Sequence, residues 1–120
     1  KKIIIKMIKY FLKKERKKKN IIVVIGPCIT QKNYEIKSYF LKKFINQYKN
    51  NRIYFKKIKK KTFFSLKDYL KGQIRGFGIN NIETINKDTY NIKNNFFSSR
   101  RSLHSRYNDY GRNITTIMIK

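Results

Sequence analysis

The chain has 120 residues, 31 of them Lys or Arg against six acids, which gives a formal charge of +25. So large a surplus leaves most cations without an internal partner and points to a polyanion, nucleic acid first, because each neutralised phosphate releases condensed counterions. Hydrophobic residues at 40%, nine Phe and nine Tyr among them, suffice for one modest core and exclude a wholly disordered polycation.

The first nineteen residues are expected to form a basic arm preceding a single domain over 20–120. Ile3, Ile4, Ile5, Ile8, Phe11 and Leu12 alternate there with lysines, so an amphipathic membrane anchor competes with an RNA-wrapping arm. The arm is the preferred reading, disordered until RNA orders it, with Lys13, Lys14, Arg16, Lys17, Lys18 and Lys19 as phosphate ligands. Ile21 to Ile25 are strictly apolar, far too few to span a bilayer, and Gly26-Pro27 closes them into a predicted buried strand.

Asn33 is placed to cap a helix running to residue 49. Ile36, Phe40 and Phe44 form one apolar row, Leu41, Ile45 and Tyr48 the next, and Asn50-Asn51 break the pattern. Between Arg52 and Leu66, the clusters Ile53-Tyr54-Phe55 and Thr62-Phe63-Phe64 read as strand, separated by lysines that suit phosphates better than a core. Gly72, Gly76 and Gly78 argue against a helix in the next segment. A loop at the tip of a long basic hairpin is expected there, returning as a strand from about residue 77 to 85.

Residues 86–97 fit strand, helix or loop. Ser98 or Ser99 is placed to cap a short basic helix that Gly111 ends, and residues 113–120 read as a last strand. Arg100, Arg101 and Arg106 stand out because Lys would be the cheaper cation in this composition, so bidentate phosphate contact or base stacking is expected of them. The order strand, helix, strand, basic loop, strand, helix, strand predicts an α+β, ferredoxin-like split β-α-β sandwich.

Cys28 is the single cysteine and His104 the single histidine, which excludes an internal disulfide and a Cys-rich metal site. Cys28 is expected as a small buried apolar residue, His104 as a surface or RNA-facing one. No zinc spacing, P-loop, nucleophile elbow or carboxylate pair is present, so neither catalysis, cofactor nor small-molecule substrate is expected.

Three stretches carry a family resemblance: Ile21–Ile25 leading into the helix, Lys57 through Lys61-Thr62-Phe63-Phe64 to Phe77-Gly78-Ile79, and Gly111 before the closing strand. In these the chain resembles the small-subunit ribosomal protein "S ten" family in its mitochondrial form. The resemblance implies a structural rRNA-binding constituent of the organellar small-subunit head, with rRNA and neighbouring ribosomal proteins as partners. It implies that Lys56, Lys57, Lys59, Lys60, Lys61, Lys67, Lys71 and Arg75 line the hairpin and contact phosphates. The total absence of Ala and the wealth of Ile, Asn and Lys suggest an A/T-biased organellar gene, hence a mitochondrial location, with a plastid as alternative. Leu103-His104-Ser105-Arg106 is similar to the ribosomal "S thirteen" family, and a non-ribosomal basic RNA-binding protein is the remaining alternative.

Overall fold

A computed structural model describes residues 3–15, 17–107 and 109–118. Its elements are α1 (Ile3–Lys14), β1 (Val23–Ile25), β2 (Glu35–Ile36), α2 (Ser38–Gln47), β3 (Phe55–Ile58), β4 (Lys61–Phe64), α3 (Leu66–Arg75), β5 (Ile82–Thr84) and α4 (Ser99–His104). The result is an α+β chain with two sheets. β1 and β5 pair in parallel, Val23 opposite Ile82 and Ile25 opposite Thr84. β4 lies between β2 and β3, antiparallel to both.

Two packing centres hold the elements. One is aliphatic: Ile8 of α1, Ile21 and Ile25 at β1, Ile74 of α3 and Ile79 form a buried cluster, with Ile4, Leu12, Val23, Leu70, Phe77 and Ile82 against it. The residues expected to form a free basic arm therefore contribute a helix to the core. Its lysines stay outside because only the row Ile4, Ile8, Leu12 has helical spacing toward the cluster. Among the described residues no helix is long and apolar enough to cross a membrane.

The other centre is aromatic. Phe64 is 1% exposed, and its ring centroid lies 5.4 Å from Phe40, 5.2 Å from Phe44, 4.9 Å from Phe55 and 5.6 Å from Tyr69. Phe40 and Phe44, one turn apart on α2, stack at 4.6 Å and present that face to the sheet. Helix α2 begins at Ser38, later than Asn33 predicts, because Glu35 and Ile36 pair instead with Phe63 and Thr62 along the edge of β4.

The largest departure lies at residues 66–75, where a loop was expected and α3 forms. Ser65 caps it, accepting from the Asp68 N–H while its hydroxyl donates to the Asp68 carboxylate. Gly76 ends the helix, and Gly78, at φ +78°, lies in the turn beyond it. Only Gly72 is interior, and it serves packing: a Cβ there would collide with the Tyr54 hydroxyl. The expected long hairpin is instead the short β3–β4 turn at Lys59-Lys60, with Lys59 at φ +53°. Residues 112–118 carry no strand pairing, so the closing strand does not form within the described residues.

Candidate functional site

A polar cluster is centred on Asp88, which is 9% exposed. A single parallel bridge sets Asp88 beside Cys28 and draws two loops together beyond the ends of β1 and β5. Oδ1 accepts the Thr30 N–H at 3.2 Å and the Tyr90 N–H at 2.9 Å. Oδ2 accepts the Thr30 hydroxyl at 2.6 Å and the Asn33 amide at 2.7 Å. Burial by itself would push this carboxyl up, but the bonds from Thr30, Tyr90 and Asn33 together outweigh it and hold it below its ordinary value. An ionised carboxylate offers about four lone-pair sites, and all are taken. Asp88 is thus a frame for the loops, both its carboxylate oxygens engaged by internal donors.

Arg101 fixes the second loop from its other side. Its guanidinium donates to the carbonyls of Thr89 at 2.9 Å, Tyr90 at 3.0 Å and Phe96 at 2.6 Å. Ser98 caps α4 through the Arg101 N–H at 3.3 Å, which sets the direction of this side chain. The Tyr90 hydroxyl meets His104 Nδ1 at 2.8 Å. Between the loops lies an open cleft of about 740 Å³, lined by Thr30, Lys32, Asn33, Asn86, Lys87, Asp88, Tyr90, Asn91, Ile92, Asn94 and Arg101. A smaller cavity of about 230 Å³ shares Thr30, Asn86 and Lys87 with it and reaches Cys28, Ser65, Lys67 and Asp68. Burial pushes the Cys28 thiol up, with Lys67 opposing, so it stays protonated at neutral pH and is a poor nucleophile. Because Asp88 is consumed internally, the cleft's uncommitted charge is that of Lys32 and Lys87. The arrangement suits a small, hydroxyl-bearing or anionic molecule.

The residues expected to bind RNA do not converge. Lys13, Lys14, Lys17, Lys18, Lys19, Lys56, Lys57, Lys59, Lys60, Lys61, Arg75 and Arg106 are exposed along different elements, and Arg16 lies outside the described residues. Lys61 pairs with Glu35 at 2.9 Å. Lys67 and Lys71 are half-buried on α3, with Lys67 donating to Asn86. Two of the three arginines singled out for phosphate contact grip main chain instead: Arg101 as above, and Arg100 through the Glu35 carbonyl at 2.9 Å and over the Tyr34 ring at 5.3 Å. Asp88 and Thr30 carry no expectation from the sequence, and Asn33, expected to cap a helix, instead donates to Asp88. The available signal was scarcity: with six acids in the chain, one inside an Asn-rich stretch beyond an apolar run has a structural reason to be there.

Residues 1–120 match the family described as multi-copper polyphenol oxidoreductase laccase, and the chain belongs to that family. Two curated relatives are named purine nucleoside phosphorylases. The one from Rickettsia prowazekii (strain Madrid E) is 32% identical over 108 residues, 88% of this chain and 45% of the relative. That from Rickettsia conorii (strain ATCC VR-613 / Malish 7) is 33% identical over 107 residues, 88% of this chain and 44% of the relative. The chain spans less than half the length of these relatives.

These matches overturn the ribosomal reading. The "S ten" resemblance, the structural role in translation, the rRNA and ribosomal-protein partners and the expected lack of enzymatic function all give way to an enzyme family. Strand-helix order and basicity are shared by unrelated folds, which is why they misdirected the assignment. Copper in the family's description calls for several His, Cys or Met donors. The chain has one His and one Cys, and among the described residues no group of three or more His, Cys, Asp or Glu could hold a metal. These residues do not fit a multi-copper centre.

Proposed function

We propose that this chain supplies part of an enzyme that cleaves purine nucleosides with phosphate, and that the Asp88 cleft receives a portion of the substrate pair. The observation that carries the reading is the cleft's charge: Lys32 and Lys87 line it, and its one carboxylate is saturated by four internal donors. In phosphorolysis a phosphate oxygen forms a bond to the ribose anomeric carbon. The glycosidic carbon–nitrogen bond breaks, its electron pair stays on the purine nitrogen, and a proton neutralises the leaving base. Two ammonium groups at the cleft wall offset the charge of the phosphate nucleophile. Asn86 contributes as well: its amide oxygen accepts from Lys67 Nζ at 2.8 Å, which leaves its NH2 to donate to a ribose hydroxyl or a phosphate oxygen.

Calorimetric titration with inorganic phosphate and with inosine tests this. Lys87→Glu is expected to weaken phosphate binding at least tenfold, while Lys56→Glu, on the exposed face of β3, leaves it within twofold. Equal losses from both changes would reduce the binding to bulk charge and remove the cleft from consideration.

A further inference from the structure

We propose that the outer side of α1 is a docking surface for an anionic phospholipid bilayer, on which the helix lies in the plane of the interface. Three rows of side chains run along α1. Ile4, Ile8 and Leu12 face the aliphatic core. Ile3, Met7 and Tyr10 recur at helical spacing as a second row, 70%, 54% and 58% exposed, with Phe11 beside it at 50%. Lys6, Lys9 and Lys13 form the third row, exposed throughout. Lys14 follows one turn after Tyr10, its Nζ 6.0 Å from the centre of that ring.

Charge decides what this surface accepts. Lys6, Lys9, Lys13 and Lys14 are the charged residues of α1, and it holds no acid. Glu15, just past the helix, is half-buried and accepts the Lys17 N–H at 2.9 Å. Glu35 pairs with Lys61, the only ion pair among the described residues. Asp68 and Asp88 are engaged by internal donors, and Asp109 accepts the Tyr110 N–H. Glu83 stands opposite Val24, on the face of the β1–β5 pair turned away from the core and so from α1. An apolar protein face would cover the Ile3–Tyr10 row and leave the lysine row uncompensated; a polynucleotide would do the reverse. A bilayer with anionic headgroups meets both. Ile3, Met7 and Phe11 enter the acyl boundary, the Tyr10 phenol sits at headgroup level, and the lysines extend their ammonium groups to the phosphates. Lys17 and Lys19, exposed beyond the helix, lengthen the cationic side.

The inference is independent of the substrate reading, since none of these residues lines the Asp88 cleft. The full chain is floated on a density gradient with phosphatidylcholine vesicles containing about one-quarter phosphatidylserine, and with phosphatidylcholine vesicles alone. Binding to the anionic vesicles is expected, about tenfold tighter than to the neutral ones. Ile3→Ser with Met7→Ser, and separately Lys6→Glu with Lys13→Glu, should each weaken it about tenfold. Lys56→Glu with Lys57→Glu on β3, the same change in charge, should leave it within about twofold. Tyr10→Trp gives the second measurement, in a chain that otherwise has no Trp. Its emission should shift to the blue on the anionic vesicles, with the circular dichroism spectrum of the free variant matching that of the wild type. Equal losses from the β3 pair, or an emission that does not shift, would overturn the proposal. So would binding that ignores Ile3 and Met7 and is displaced by polyuridylate, the behaviour of a polynucleotide surface.

Discussion

Asp88 and Arg101 hold the main chain of Tyr90 from opposite ends. Oδ1 of Asp88 accepts the Tyr90 N–H at 2.9 Å, and the Arg101 guanidinium donates to the Tyr90 carbonyl at 3.0 Å. One residue of loop is thereby fixed by an anion on one side and a cation on the other, without the two charges pairing directly. The wall of the cleft is built on that grip.

Asp88→Ala leaves the Thr30 N–H and hydroxyl, the Asn33 amide and the Tyr90 N–H without their acceptor. A loss of about 3 kcal/mol of stability is expected, since donors to a buried charged group are costly to orphan. Urea denaturation at neutral pH measures it.

The same carboxyl makes a pH signature. Its folded pKa is depressed below the ordinary 3.8, so its contribution is fully present above that value and is lost as pH falls through the folded pKa. Asp88→Asn removes the titrating group. The stability difference between wild type and Asp88→Asn should therefore be constant near neutrality and shrink as the pH drops below 3.8. A difference that grows in acid would contradict the hydrogen-bond account of Asp88.

Arg101→Lys keeps the charge but cannot span three carbonyls with a planar fork. A loss of about 1–2 kcal/mol is expected. Hydrogen exchange should accelerate across residues 89–96 while the aromatic centre around Phe64 keeps its protection. Uniform acceleration would mean that Arg101 supports the whole fold instead of one loop.

Gly72→Ala tests the packing reading of α3. Helix propensity alone favours Ala by about 1 kcal/mol, yet the added methyl meets the Tyr54 hydroxyl. Net destabilisation of about 1–2 kcal/mol is expected from the overpacking. Adding Tyr54→Phe, which deletes the colliding oxygen, should restore part of it. Thermal melts of the two single variants and the double variant complete the comparison.

Parts of the fold were legible because their signals are local. Phe40 and Phe44 announce the apolar face of α2, although Ile36, read in the same row, lies in β2, and Ser98 announces the start of α4. Helix α3 is equally local in its capping signal, Ser65-Leu66-Lys67-Asp68, but Gly72, Gly76 and Gly78 argue the other way. Gly76 and Gly78 turn out to lie at or past its end, and Gly72 is required by Tyr54 from another element. The site was illegible for a different reason. Asp88 meets Thr30 across 58 residues and Asn33 across 55, and no periodicity encodes such a contact. Charge misled most: the lysines that dominate the composition are mainly exposed, while Arg100 and Arg101 spend their donors on backbone carbonyls.

The central claim is that the Asp88 cleft, and not the distributed basic surface, is where this chain meets its ligand. Nitrogen-15 NMR titration of the labelled chain with inosine and phosphate tests it most directly. The account predicts chemical-shift changes concentrated at Thr30, Asn33, Asn86, Lys87 and Tyr90. Changes spread over the lysines of α1 and β3, with the cleft residues unmoved, would contradict it.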